Sequence, residues 1–237
     1  SAQTGSGKTV AFGLAMAADL LGAESKFQNA DAPLALIVAP TRELAQQVAR
    51  ELQWLYASTG ARLATCVGGM DMREEKKALA RGAHIVIGTP GRLADHIKRG
   101  SLVTSDMRAV VLDEADEMLD MGFRDELELI LQGTPESRRT LLFSATVTKG
   151  IAALASRYQR NAVRVMTEAE KSQHVDIEYK ALLVAPGDEE NAIVNIVRHS
   201  DSESALVFCT TRAAVNKLMS RMGNRGFPVV GLSGELS

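Results

Sequence analysis

The residues best equipped for chemistry stand at the start of the chain. Thr4-Gly5-Ser6-Gly7-Lys8-Thr9 completes a run that opens at Ala2 and fits the pattern [AG]-x-x-x-x-G-K-[ST]. In such a loop consecutive backbone N–H groups at a helix N-terminus surround phosphate oxygens. The Lys8 ammonium reaches the β and γ phosphates, and the Thr9 hydroxyl ligates Mg²⁺. Small residues are required because side chains would hold the backbone away from the phosphates. From average residue usage, a match arises by chance in about 2% of chains this long, so the expected ligand is a nucleotide.

A second reactive group is Asp113-Glu114-Ala115-Asp116, set directly after the apolar run AVVL at 109–112. An acid at the carboxyl end of a buried strand can bind Mg²⁺ through water, and a neighbouring carboxylate can orient and deprotonate an attacking water. Taken alone, these residues also suit a solvated helix start, where the dipole favours acids. Beside a phosphate loop, triphosphate hydrolysis is the stronger reading. Four more short sequences follow apolar runs: Pro40-Thr41-Arg42-Glu43-Leu44-Ala45, Gly68-Gly69, Thr89-Pro90-Gly91-Arg92 and Ser144-Ala145-Thr146. Each alone reads as a turn, a helix start or a cap. Together they offer hydroxyl, guanidinium and bare backbone N–H donors, a set suited to a phosphodiester backbone.

Something must hold these sequences on one edge. The apolar runs are LALIVA (34–39), RLATCV (62–67), HIVIG (84–88), AVVL (109–112) and TLLF (140–143). Most are apolar at successive positions, as in strands covered by helices on both faces. Between them, 42–57 places Leu44, Val48, Leu52 and Leu55 at helical spacing, and 125–131 places Leu127, Ile130 and Leu131 on one face. Trp54 and Tyr56 fall in the first of these helices, which is expected to pack on the sheet. A doubly wound parallel α/β sheet follows, and ligands of such sheets bind at the carboxyl ends of the strands.

After Val165 the pattern loosens. We expect a first domain at 1–166, a polar linker at 167–176 and the start of a second α/β domain at 177–237. In that second domain the expected strands are 177–184, 205–209 and 228–232, and the expected helices 189–198 and 212–222. No strand precedes the phosphate loop, and the second domain is too short to close a sheet, so both ends are expected to continue in a longer protein.

The apolar runs fall well short of the ~20 residues that a membrane span needs. A formal net charge of −2 over 237 residues gives no general basic footprint, so any nucleic-acid contact has to be local. Cys66 and Cys209 have no partner spacing, which excludes a disulfide scaffold or a cysteine zinc site and suits a reducing, cytoplasmic setting. His84, His96, His174 and His199 lack metal-ligand spacing and are expected to be structural or solvent-facing. Glu74-Glu75-Lys76-Lys77 reads as a solvated helical face.

The ordered set AQTGSGKT, PTRELA, GG, TPGR, DEAD and SAT, running from Ala2 to Thr146, resembles the DEAD-box family of ATP-dependent RNA helicases. VFCTTR at 207–212 resembles the first motif of that family's second RecA-like domain. LSGEL at 232–236 resembles the next, with Ser233 and Glu235 where the family usually carries His and Asp. The resemblance implies a RecA-like P-loop NTPase domain with ATP and Mg²⁺ as cofactors, followed by an incomplete second RecA-like domain. It implies that Thr4, Gly5, Ser6, Gly7, Lys8 and Thr9 hold the triphosphate, that Thr9 and Asp113 hold Mg²⁺, and that Glu114 is the catalytic base. Asp116, Ser144 and Thr146 would couple nucleotide state to RNA. Pro40, Thr41, Arg42, Gly68, Gly69, Thr89, Pro90, Gly91 and Arg92 would touch the sugar-phosphate backbone of single-stranded or duplex RNA, joined by Thr211 and Arg212. In such proteins the adenine-reading Gln segment and the arginine fingers lie outside the stretch matched here. A finger is worth about 10³ to 10⁵ in rate, so the chain by itself is expected to hydrolyse ATP hardly at all. A DNA-directed helicase and an ATP-dependent RNA clamp without turnover fit the same motifs.

Overall fold

The computed structural model describes residues 7–29, 31–165, 178–200 and 203–233. Thr4, Gly5, Ser6, His174, the expected linker at 167–176 and Glu235 lie outside the described residues. The chain divides into two compact units, Ser1–Ser172 and Gln173–Ser237.

The first unit is built on five parallel strands: β1 (Ala35–Val38), β2 (Leu63–Cys66), β3 (Ile85–Gly88), β4 (Ala109–Leu112) and β5 (Arg139–Leu142). Their spatial order is β2-β3-β1-β4-β5. The registers pair Val38 with both Gly88 and Leu112, Cys66 with Gly88, and Leu112 with Leu142. All five carboxyl ends therefore stop on one line, and the residues that follow them share one edge.

Alternation across the pleat explains why these short runs form a covered sheet. The odd-numbered residues Ile37, Ile85, Ile87 and Val111 pack with Phe12, Met16 and Leu20 of α1 (Lys8–Leu21) and with Val48 and Leu52 of α2 (Arg42–Leu55). The even-numbered Leu36, Val38, Val86, Val110 and Leu112 pack on the opposite face, against five helices. These are α3 (Met72–Ala80), α4 (Pro90–Lys98), α5 (Ala115–Asp120), α6 (Arg124–Gln132) and α7 (Lys149–Tyr158), through Leu79, Leu93, Met118, Leu127 and Ile151 among others. Both faces of β1, β3 and β4 are dry, and each fully buried Leu or Ile side chain contributes about 1.5–3 kcal/mol.

The expected helix at 42–57 ends as an α-helix at Leu55, and a 3₁₀ turn follows at Ala57–Thr59. Trp54 departs from expectation: it is 71% exposed and points away from the sheet, whereas Tyr56 is buried and donates its hydroxyl to the Gly13 carbonyl at 2.6 Å. Helical geometry rotates residues 54 and 56 by about 200° relative to each other, so both cannot face the core.

In the second unit, α8 (Glu189–His199) and α9 (Arg212–Gly223) pack through Val194, Leu218 and Met222. The strands expected there are absent among the described residues: 178–184, 205–209 and 228–232 carry no ladder. Their apolar side chains Leu183, Leu206, Phe208 and Val230 are exposed. A parallel strand needs hydrogen-bonded neighbours and cover on both faces, and these runs have neither. Among the described residues, no helix is long and apolar enough to cross a membrane.

Candidate functional site

Gly7 caps α1 in the left-handed conformation (φ 75°), which an L side chain rarely tolerates. That turn aims the first N–H groups of α1 into the edge and starts the helix at Lys8 and Thr9, both buried. Facing them, Asp113 extends β4, its N–H donating to the Val38 carbonyl at 2.9 Å. Asp113 is 2% exposed, and its Oδ1 has no hydrogen-bond partner. Burial pushes its carboxyl up to about 6. Lys8 pulls it down and the neighbouring Glu114 pushes it further up. A buried carboxylate oxygen without a donor, beside an ammonium and a Thr hydroxyl, is chemically suited to a hard divalent cation such as Mg²⁺.

Glu114 takes a left-handed backbone (φ 52°, ψ 53°) at the start of α5. For a non-glycine residue this costs on the order of 1–3 kcal/mol and needs firm support from its surroundings. The bend turns its side chain back to Lys8, with Oε1 lying 3.5 Å from Nζ. Gly7, Lys8, Thr9, Asp113 and Glu114 line a cleft of about 190 Å³ that is bordered by Leu44, Gln47 and Glu51 of α2. Gln47 donates to Glu51 Oε1 at 2.9 Å. Sequence reading missed Gln47 and Glu51. The available signal was their position three and seven residues after Leu44, on the same helix face.

Asp116, Ser144 and Thr146 meet across 30 residues of sequence. Asp116 Oδ2 accepts from the Thr146 N–H at 2.8 Å and from its hydroxyl at 2.9 Å, and the Ser144 hydroxyl donates to the Thr146 carbonyl at 2.6 Å. Burial alone would raise the Asp116 carboxyl. The two hydrogen bonds from Thr146 are the main counterweight, and the group is held below its ordinary range.

The remaining motif residues flank this centre along the same edge. Pro40 is buried. Thr41 caps α2, its Oγ1 accepting from the Leu44 N–H at 3.2 Å, and Arg42 is exposed. Gly69 (φ 77°) lies under the Arg42 guanidinium, which a Cβ there would strike. Gly68 is exposed, and Gly91 faces open space in the first turn of α4, which starts with Pro90 after Thr89. Arg92 turns inward: its side chain is 13% exposed, and it donates to the Met70 carbonyl and to Glu75. In the second unit, Thr211 caps α9 by accepting from the Ala214 N–H at 3.1 Å, and Arg212 is exposed.

One expectation needs correction here, and that for the histidines of the described residues holds. Glu75 is 6% exposed and ion-paired, so the 74–77 run is not wholly a solvated face. Helical geometry turns its second residue toward the sheet while Glu74 and Lys77 pair in solvent at 2.7 Å. His84 and His96 are buried structural groups: the His84 ring meets the Arg62 N–H at 2.9 Å and the Gln28 carbonyl at 2.7 Å. His199 is exposed.

Comparison with known proteins agrees with this geometry. Residues 1–154 match the family model described as DEAD/DEAH box helicase. The chain is 39% identical over 236 residues to the DEAD-box ATP-dependent RNA helicase CshA of Geobacillus kaustophilus, covering 100% of this chain and 49% of that protein. It is 38% identical over 235 residues to the protein of the same name from Streptococcus pneumoniae, covering 99% of this chain and 44% of the relative. Thus the chain spans about half the length of the curated relatives it matches. Among solved structures, a DEAD box protein from the hyperthermophile Methanococcus jannaschii aligns with a TM-score of 0.64 at 35% identity, covering 100% of this chain and 61% of that one. The yeast DEAD-box splicing factor Prp28 aligns with a TM-score of 0.61 at 35% identity, covering 67% and 39%. With its motifs gathered on one sheet edge and its sequence alike along its whole length, the chain belongs to the DEAD/DEAH box helicase family.

Proposed function

We propose that this chain is the nucleotide-binding part, with the start of a second RecA-like domain, of an ATP-dependent RNA helicase that separates short duplexes or remodels RNA–protein complexes. The observation that carries this reading is Asp113: a buried carboxylate with an unpartnered oxygen, set between Lys8 and a strained Glu114. The residues present fit Mg²⁺, with Thr9 and Asp113 to hold it. Bound there with ATP, the ion would neutralise charge on the phosphate oxygens. Gly5, Ser6 and Gly7 supply backbone N–H groups and Lys8 an ammonium to the triphosphate. Phosphate oxygens would draw Lys8 from Glu114 and free that carboxylate to orient and deprotonate a water. Asp116, tied to Ser144 and Thr146, links this centre to the RNA-facing loops.

Thr41, Arg42, Gly68, Gly69, Thr89 and Gly91 form the RNA-facing set of the first unit, with Arg92 at the same edge and the buried Pro40 and Pro90 shaping it. Thr211 and Arg212 are the corresponding candidates in the second unit. Contacts of this kind read the backbone and carry little sequence preference. A choice of RNA over DNA would come from the 2′-hydroxyl. The test is steady-state ATP turnover by the full-length protein with matched RNA and DNA strands. Stimulation by RNA is expected. Equal stimulation by DNA would make it a DNA-directed enzyme, and RNA binding without turnover would make it a clamp.

A further inference from the structure

Beneath the Gly68-Gly69 turn lies a buried charged cluster that the hydrolytic chemistry does not use. Glu75 of α3 accepts from three donors: the Val67 N–H to Oε1 at 2.9 Å, and Arg92 Nη1 at 2.8 Å and His96 Nε2 at 2.7 Å to Oε2. Arg92 also donates from Nη1 and Nη2 to the Met70 carbonyl at 3.1 and 3.2 Å. His96 is fully buried, and its Nδ1 lies 2.8 Å from the Ser101 hydroxyl oxygen. Nε2 faces a carboxylate that only accepts, so it carries a ring proton, and the Ser101 hydroxyl donates to the His96 carbonyl at 3.2 Å.

Cys66 completes a Cys-Glu-His group whose ligand atoms lie within 4.8 Å of one another, the composition of a cation site. Its chemistry argues against that use. The Arg92 guanidinium already occupies the carboxylate oxygen. Burial, with a further push from Glu75 against a pull from Arg92, raises the Cys66 thiol to about 12 and keeps it protonated at neutral pH.

The donors on Glu75 come from the turn after β2, eight residues away in sequence, and from both ends of α4, 17 and 21 residues away. One carboxylate thus joins the Gly68-Gly69 turn to the segment that carries Thr89 and Gly91. We propose that Glu75 is a positioning residue: with Arg92 and His96 it fastens the turn at 67–70 to α4, so that Gly68, Gly69, Thr89 and Gly91 meet one phosphodiester strand as a single surface. Arg92 serves this fastening and does not contact phosphate. The inference rests on the reading of this edge as the RNA-binding face.

Salt dependence separates the two roles for Arg92, because a side chain that neutralises one phosphate adds about one to the slope of log Kd against log salt. The experiment uses the full-length protein with Mg²⁺, a non-hydrolysable ATP analogue and labelled single-stranded oligouridylate, read by fluorescence anisotropy over a range of KCl. Arg92→Ala and Glu75→Gln should each weaken RNA binding about tenfold, the worth of one charge-assisted hydrogen bond. The salt slope and the affinity for the nucleotide should be unchanged. The double variant should bind no worse than the weaker single variant, since both break one fastening. A slope reduced by about one in Arg92→Ala, unaltered RNA affinity in Glu75→Gln, or additive losses would each overturn the proposal. Should Glu75→Gln fail to fold, the Arg92→Ala slope decides alone. If the wild-type protein shows no RNA affinity, the reading of the edge fails and this inference with it. If the wild type binds RNA and the slope falls, the positioning role alone fails.

Discussion

Two acidic side chains are buried beneath the same sheet edge and are treated in opposite ways. Glu75 has donors on both oxygens, an Arg partner and a His partner. Asp113 keeps one oxygen without a partner, titrates near 6 and is followed by a residue in a left-handed backbone. A buried carboxylate with donors on both oxygens stabilises local structure. One left short of donors is a standing cost that only a ligand can relieve. The contrast distinguishes a group that holds the edge together from one that works on it.

Four substitutions in the full-length protein put this difference to the test. The largest effect is expected for Glu114→Gln. Single-turnover hydrolysis should fall by about 10² to 10⁴ while ATP affinity is kept, because the amide cannot take the proton from water. Loss of ATP affinity instead would make Glu114 a binding group. Next comes Glu75→Ala, which strands Arg92 in a buried site and should cost about 3–5 kcal/mol in urea denaturation. A cost under about 1 kcal/mol would class the pair with surface ion pairs.

Asp113→Asn should act with the opposite sign in the absence of nucleotide and Mg²⁺, stabilising the protein by roughly 2–3 kcal/mol at pH 8. The sign follows from a carboxyl that titrates at about 6 when folded against 3.8 as its ordinary value. As pH rises, the unfolded chain gives up this proton first. Stability of the wild type is therefore lost between those two values and does not return above the upper one. In Asp113→Asn that part of the pH dependence should vanish, and a pH profile identical to wild type would remove Asp113 as its source. The smallest effect, about 1 kcal/mol, is expected for Thr146→Ala, which deletes one of the two bonds to Asp116 and leaves the backbone bond in place. A thermal melt shows whether it exceeds that.

Much of this was legible in the sequence, and particular residues show where legibility stopped. The central strands β1, β3 and β4 follow from runs such as LALIVA and AVVL, because burial on both faces leaves an unbroken apolar signature. By contrast, β2 and β5 are only partly covered and show in weaker runs. The motif residues could be placed on one edge because each follows such a run. Glu75 could not be read, since a carboxylate within a charge run looks the same whether solvated or buried. What distinguishes it is Arg92 and His96, which reach it only because β2 and β3 are neighbours. Gln47 and Glu51 were hidden for a related reason: a polar helix face shows no sign of which cleft it will border. The strands expected at 177–184 and 205–209 mark the opposite limit, where apolar composition is present and, among the described residues, neighbouring strands are not.

The 14 residues of α2 are a rod about 21 Å long. Its first turn, with Thr41 as cap and Arg42 over Gly69, carries part of the RNA-facing set proposed above, and its next two turns, through Gln47 and Glu51, border the cleft at Lys8 and Asp113. Because β1 is central in the sheet, this helix starts where the two meet. A stiff lever so placed cannot tilt for one occupant without moving at the other. On the proposed reading, the rigidity of a single hydrogen-bonded cylinder would join fuel and cargo in parallel with the side-chain link through Asp116.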